Sequence, residues 1–182
     1  MLLWFYRLPI WFVFVGTILI ICFYSNISSK CKHTHYLIKF FNLTTLILLL
    51  FSCYLIYYAT IYNRYNVVDS ISLIPFISFI EAQIQPEIYR TLLMNVVLFV
   101  PLGLTLSNAL NIKLHTNTSI IITVITSLII SILIEIIQFY FKCGNAQTDD
   151  VLMNVFGAFL GSINLILSKS FTSSYLKKLY FN

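Results

Sequence analysis

Charge is what this sequence has least of. Only 9% of its 182 residues are Asp, Glu, Lys or Arg, against roughly 25% in an ordinary soluble domain. With 59% hydrophobic residues and a mean hydropathy of +0.91, the chain has more apolar surface than an aqueous core of this size can hide. A soluble globule is therefore excluded. Paired cysteines are also missing. Cys22, Cys31, Cys53 and Cys143 show no C-x-x-C or matched spacing, so neither a disulfide framework nor a zinc site is indicated. There is no P-loop, dinucleotide fingerprint or HExxH, and no serine sits in a nucleophile elbow. His33 and His35 form an H-x-H without a third ligand and read as solvated loop residues. Nothing implies a metal or a cofactor. The net charge of +5 comes from single basic residues between apolar runs. It suits loop orientation signals and contact with anionic lipid, not nucleic acid, for which a basic stripe interleaved with aromatics is lacking.

What is present is a series of apolar runs near the roughly 20 residues needed to span a bilayer. They cover Leu8 to Tyr24, Phe40 to Tyr62, Thr91 to Leu110, Ser119 to Phe141 and Val151 to Leu167. The first ends in Cys22-Phe23-Tyr24 without a small-residue cleavage pattern, so it reads as a retained helix. The fold expected is all-α, a polytopic membrane protein of about five transmembrane helices. The longest connection, Asn63 to Arg90, carries a crowded apolar stretch around Pro75 and Phe76. It is too short to span, so an interfacial or re-entrant segment is expected around 70–80. Three regions follow: two N-terminal helices and a basic loop over 1–62, a segment with three helices over 63–168, and a basic tail over 169–182.

Orientation follows from the basic residues of the short loops. With the N-terminus outside and the C-terminus cytoplasmic, Lys30, Lys32, Lys39, Lys113, Lys169, Lys177 and Lys178 face inward, while Arg7, Arg64, Arg90 and Lys142 face outward. All the acids then lie on or near the outer side.

Polar groups inside hydrocarbon are expensive and ask for a reason. Glu135 lies in the fourth run, with Gln138 at i+3 on the same helical face. Asn95 is about a turn inside the third run, and Asn154 about a turn inside the fifth, just after Asp150. Because successive spans alternate direction, Asn95, Glu135, Gln138, Asp150 and Asn154 fall near one membrane face whichever way the protein is oriented, with Arg90 beside them. Asp150, Asn154, Gly157 and Gly161 share one helical stripe, and the Gly157–Gly161 pair is a GxxxG that allows close helix contact. Asn95, Phe99 and Gly103 form a similar stripe. Pro101 has no N–H for the Val97 carbonyl, which stays open to a side chain or ligand. Two readings of the cluster stand at this point: interhelical glue, or a ligand or proton site.

At these residues the sequence resembles the VanZ-like membrane proteins. Ser72-Leu73-Ile74-Pro75-Phe76 is similar to that family's N-L-x-P-F. Asn95 to Gly103 resembles N-x-x-x-F-x-P-x-G, Glu135-Ile136-Ile137-Gln138-Phe139 resembles E-x-x-Q-F, and Asp150 to Gly161 resembles D-x-x-x-N-x-x-G-x-x-x-G. The four pieces come in the family's order across roughly residues 70 to 165. Ser72 stands where Asn is usual, and Gln147 where the family commonly has Asp. Asp149 is an extra acid that a helix points elsewhere. The resemblance implies a cell-envelope protein linked to resistance against teicoplanin, a glycopeptide. Its partners would be membrane lipids and a lipid-linked cell-wall precursor or lipoglycopeptide, held in an outward pocket lined by Asn95, Glu135, Gln138, Asp150 and Asn154. Pro75 and Phe76 would form its apolar lip. The alternatives are an intramembrane enzyme on a lipid or polyprenyl headgroup, with Glu135 as acid or base and Asp150 as partner, or a structural scaffold.

Overall fold

A computed structural model of the chain describes residues 10–31, 35–62 and 71–171. Leu8, Arg7, Arg64, His33 and the tail beyond 171 lie outside the described residues. The first two helices are α1 (Ile10–Cys31) and α2 (His35–Tyr57), the latter running on through a π-helical turn, Tyr58–Tyr62. Then come a two-residue strand β1 (Ile71–Ser72), the short helix α3 (Ile77–Ile84) and the long helices α4 (Glu87–Leu110) and α5 (Thr116–Tyr140). A second strand, β2 (Ala146–Gln147), leads into α6 (Thr148–Ser162). After a break at Ile163 the helix resumes, so that Thr148–Phe171 makes one apolar span.

The long elements form where the sequence is apolar without interruption. Four stretches, Tyr36–Tyr62, Glu87–Leu110, Thr116–Tyr140 and Thr148–Phe171, are long and apolar enough to cross a membrane, and Val15–Ser28 is a shorter apolar helix. At a rise of ~1.5 Å per residue a 24-residue helix such as α4 is about 36 Å long, against about 30 Å of hydrocarbon. The fold is that of an all-α polytopic membrane protein. Around 70–80, as expected, the chain makes no span: it forms β1, a turn and α3.

The distribution of side chains confirms lipid as the solvent. On α5, Ser119, Thr123, Ser127 and Ser131 are fully buried, whereas Ile121, Ile125, Ile129, Ile132 and Leu133 are exposed. In water that arrangement would be inverted. In a bilayer it satisfies hydroxyls inside the bundle and turns aliphatic surface to the acyl chains. Several hydroxyls are satisfied within the helix itself: Thr123 donates to the Ser119 carbonyl (2.8 Å) and Ser127 to that of Val124 (2.8 Å).

α4 is the central element, and it meets α6 backbone to backbone. A Cβ built on Gly157 would collide with the Val96 carbonyl, one on Gly161 with the Val100 carbonyl, and one on Gly103 with the Ala158 carbonyl. Phe99, Leu102 and Ala158 fill the core beside this contact, with Ile134 of α5 and Ile56 of α2. Lipid tails are as apolar as these side chains, so association rests on van der Waals fit and interhelical hydrogen bonds, and small residues at the crossing make both attainable.

Gly16 supplies an internal contrast, because nothing lies within 4 Å of a Cβ built there. Gly157→Leu is expected to cut folded, membrane-extracted protein severalfold. Gly16→Ala leaves it unchanged, since the added methyl meets no neighbour and favours the helix by about 0.5–1 kcal/mol. Quantifying monodisperse protein after detergent extraction checks both; equal yields for Gly157→Leu and the parent would contradict the backbone contact.

Candidate functional site

The α5–α6 connection builds the site. α5 ends in a Schellman-type turn: Cys143 N–H donates to the Gln138 carbonyl (3.0 Å) and Lys142 N–H to that of Phe139 (3.3 Å). Lys142 takes the left-handed conformation, φ 52°, a position that glycine fills at no steric cost. Gly144 follows, and a Cβ there would press on the Gln138 side chain at 3.0–3.2 Å. The chain thus doubles back tightly against α5, and β2 pairs in parallel with β1, Ile71 opposite Ala146 and Ser72 opposite Gln147. The apolar 71–84 segment is thereby fastened to the end of the bundle that carries Glu135.

Each polar residue at this end has a distinct post. Glu135 is buried (8% exposed), and its Oε2 accepts from the Gln147 backbone N–H at 2.9 Å. Gln138 is buried, and its Nε2 donates to the Thr60 carbonyl (2.8 Å) in the π-helical turn that ends α2. Asn154 is buried, and its Nδ2 donates to Ser131 Oγ (2.8 Å), joining α6 to α5. Gln138 Oε1 and Asn154 Oδ1 are buried without a hydrogen-bond partner among the described residues, and an unmade bond of that kind costs about 1–3 kcal/mol. Asn95, Arg90 and Asp150 are half-buried. Asn95 precedes Val96, against which Gly157 packs, so Asn95 and Asn154 sit at one level of the α4–α6 pair. Pro75 and Phe76 are exposed in the turn between β1 and α3.

Asp149 holds the 71–84 segment most directly. It is 1% exposed, and its two carboxylate oxygens accept from Phe76 N–H (2.6 Å) and Ser78 N–H (2.8 Å). These are donors at the start of α3, which has no cap from its own side chains. The carboxylate therefore caps α3 from another element, with charge-assisted bonds at a helix N-terminus. Helical geometry does turn Asp149 away from the Asp150 face, and the direction it takes leads to this cap. Phe76 itself is left-handed, φ 65°, and its ring meets Phe79 (6.1 Å), which meets Tyr89 of α4 (6.5 Å). Thr60, Ser131 and Asp149 were not among the residues that sequence alone singled out for this site. Ser131 lies at i−4 from Glu135 and Asp149 is an acid in the first turn of a helix, which are the only local signals they carry, and Thr60 carries none.

Beside this scaffold lies a groove of about 420 Å³ between α5 and the paired strands. Ile71, Leu73, Ile132, Ile136, Phe139 and Val151 make it apolar, and among the described residues Glu135 is its one ionisable lining residue, with Gln147 and Thr148 beside it. Ile71, Leu73, Ile132, Ile136 and Phe139 are all exposed, so in a bilayer the groove opens sideways to lipid. Of the residues expected to line a pocket, Glu135 borders this groove, whereas Gln138 and Asn154 are turned into helix contacts. Such an arrangement can receive an acyl or prenyl chain along its aliphatic walls and meet a polar group at the carboxylate.

A family model described as VanZ/LLP1 matches residues 10–169 of the chain, taking in α1 and α2 as well as the 70–165 stretch that carries the motifs. No curated protein and no solved structure matches it.

Asp149→Asn keeps the shape of the side chain, removes its charge and replaces one of its two acceptor oxygens with an amide donor. Hydrogen exchange at the Phe76 and Ser78 amides in detergent micelles is expected to accelerate about tenfold or more, since bonds to a charged group contribute about 1.5–3 kcal/mol. Unchanged protection would show that the segment is held by other contacts.

Proposed function

We infer that this chain, which belongs to the VanZ/LLP1 family, binds an amphiphile at the outer face of the cell membrane, with its N-terminus outside and its C-terminus cytoplasmic. The observation that carries this reading is the lipid-facing groove of about 420 Å³ whose one ionisable lining residue, among those described, is Glu135. An amphiphile has the matching halves. Its chain lies along Ile132, Ile136, Phe139 and Leu73, and its polar junction meets the Glu135 carboxylate, with Gln147 and Thr148 beside it. Pro75 and Phe76 form a lip that the Asp149 cap keeps in place.

Charge asymmetry supports the orientation, because the basic residues favour the side opposite Glu135. On the outer side the molecules with this chemistry are lipid-linked cell-wall precursors and lipoglycopeptides such as teicoplanin. The resemblance to proteins linked to teicoplanin resistance agrees with a ligand that carries an acyl tail. Vancomycin, which lacks such a tail, has nothing to lay in the groove.

A scaffold role is the second reading, and the Gln138–Thr60 and Asn154–Ser131 bonds favour it. One variant separates the two. Glu135→Gln retains an acceptor oxygen for the Gln147 N–H and loses the charge. On the binding reading, a host expressing the variant at parental abundance loses protection against teicoplanin while its vancomycin susceptibility does not move. Full protection by Glu135→Gln would overturn the binding reading, and a fall in abundance parallel to the fall in protection would make Glu135 a packing group.

A further inference from the structure

A second cavity, of about 220 Å³, lies at the opposite end of the bundle, between the end of α1, the start of α2 and the end of α4. Asn95 and Asn108 are 13 residues apart on α4, which places the cavity about 20 Å along the helix from the Glu135 end. It is lined by Ser28, Asn42, Asn108 and Asn111, with Ile38, Phe41 and Ile112. Among the described residues the lining thus holds three carboxamides and a hydroxyl, and no ionisable group.

Its floor is rigid. Asn108 is 8% exposed and Ser28 2%. Asn108 Nδ2 donates to Asn164 Oδ1 (2.6 Å) and to the Leu104 carbonyl (2.8 Å), and Asn164 Nδ2 donates to Ser107 Oγ (3.2 Å) and the Gly161 carbonyl (2.7 Å). Ser28 donates to Asn108 Oδ1 (3.4 Å) and receives Ser168 (3.4 Å). These bonds tie α1, α4 and α6 together under the cavity. Asn42 contributes no bond to this network. Asn111 joins Thr116 through its Oδ1 (3.2 Å), and its amide nitrogen takes no part in the network either. Both line the cavity.

The surroundings add charge and apolar surface. Lys39 precedes Asn42 by one turn and shares its side of α2, and Lys113 follows Ile112 in the turn after α4. Both lysines are exposed. Ile112 in the lining is 55% exposed, and Leu37 and Phe40, next in sequence to the lining residues Ile38 and Phe41, are exposed too, so apolar surface continues along α2.

We propose that this cavity is a lipid site that takes the phosphoglycerol headgroup of an anionic phospholipid from the leaflet opposite the Glu135 end. Carboxamides both donate and accept, as glycerol hydroxyls do, so Asn42 and Asn111 match a polyol from two sides. An ethanolamine ammonium is donor-only and leaves the amide nitrogens without a partner, and choline offers neither donor nor acceptor. Lys39 and Lys113 stand where the phosphate emerges from the cavity, and the acyl chains lie on Leu37, Phe40 and the rest of the exposed α2 face. The site rests on none of the groups assigned to the groove at the other end.

The test uses full-length protein, stripped of lipid in detergent, and dioleoyl phosphatidylglycerol, phosphatidylethanolamine and phosphatidylcholine, with retention read by native mass spectrometry across a titration. Phosphatidylglycerol is expected to bind at least about fivefold more tightly than the other two, on the scale of one or two neutral hydrogen bonds. Asn42→Leu and Lys39→Gln alter a half-buried wall and an exposed cation. Each is expected to weaken phosphatidylglycerol about fivefold while the lipid-free melting temperature stays at that of the parent. Equal retention of the three lipids, or parental affinity in both variants, would overturn the proposal. Displacement of the lipid by an equal concentration of soluble glycerol 1-phosphate would overturn it as well, by making a free phosphopolyol the ligand.

Discussion

The close passage of α4 against α6 is the constraint on which the other features depend. Gly157 abuts the Val96 carbonyl, Gly161 that of Val100, and Gly103 that of Ala158, so the two backbones touch where larger residues would hold them apart. That contact sets the level of α6 along α4. It places Asn154 at the level of Asn95 near one end of the pair, and Asn164 within 2.6 Å of Asn108 near the other. The N-terminus of α6 is then carried to the height where Asp149 meets the start of α3. A shift of one turn, about 5.4 Å, would undo both the Asn108–Asn164 bond and the α3 cap.

Lipid as solvent explains why polar groups collect at the helix contacts. With no water in the hydrocarbon, hydroxyls and carboxamides turn inward and find partners on neighbouring helices or on their own carbonyls. Ser131 with Asn154, Thr60 with Gln138 and Ser107 with Asn164 are all products of this rule. The two ends of the bundle use it differently. At one end a carboxylate borders an apolar groove; at the other, neutral carboxamides line a small cavity with lysines outside it. On the two proposals made above, those chemistries would suit two different polar groups on two amphiphiles, one at each end of the bundle.

The order of legibility follows the range of the interactions. The spans were readable because hydropathy is local: each long apolar helix coincides with an apolar run to within a few residues. Glu135 was conspicuous because a carboxylate in such a run is costly, and the Gly157–Gly161 pair because its spacing is itself the packing signal. Asp149 is the instructive case. Its helical phase was readable, but its partner was not, because the partner is a pair of backbone N–H groups 71 and 73 residues away in sequence. Strands β1 and β2 were equally hidden, since two-residue elements leave no periodicity. Ser28, Asn108 and Asn164 carry no signal in the sequence, because serine and asparagine near helix ends are ordinary residues until the fold brings them together.

The sequence by itself determined the solvent, the all-α class, the positions of the spans and the end of the bundle at which Glu135, Asp150 and Asn154 fall. These depend on composition, run length and chain alternation, which need no long-range contact. Tertiary structure alone decided which groups face the apolar groove and which are bound into helix contacts. It also decided what pins the 71–84 segment, and that a second polar cavity exists at the far end. Those outcomes rest on backbone donors and carbonyls, which every residue type carries alike, and only their placement in space gives them a partner.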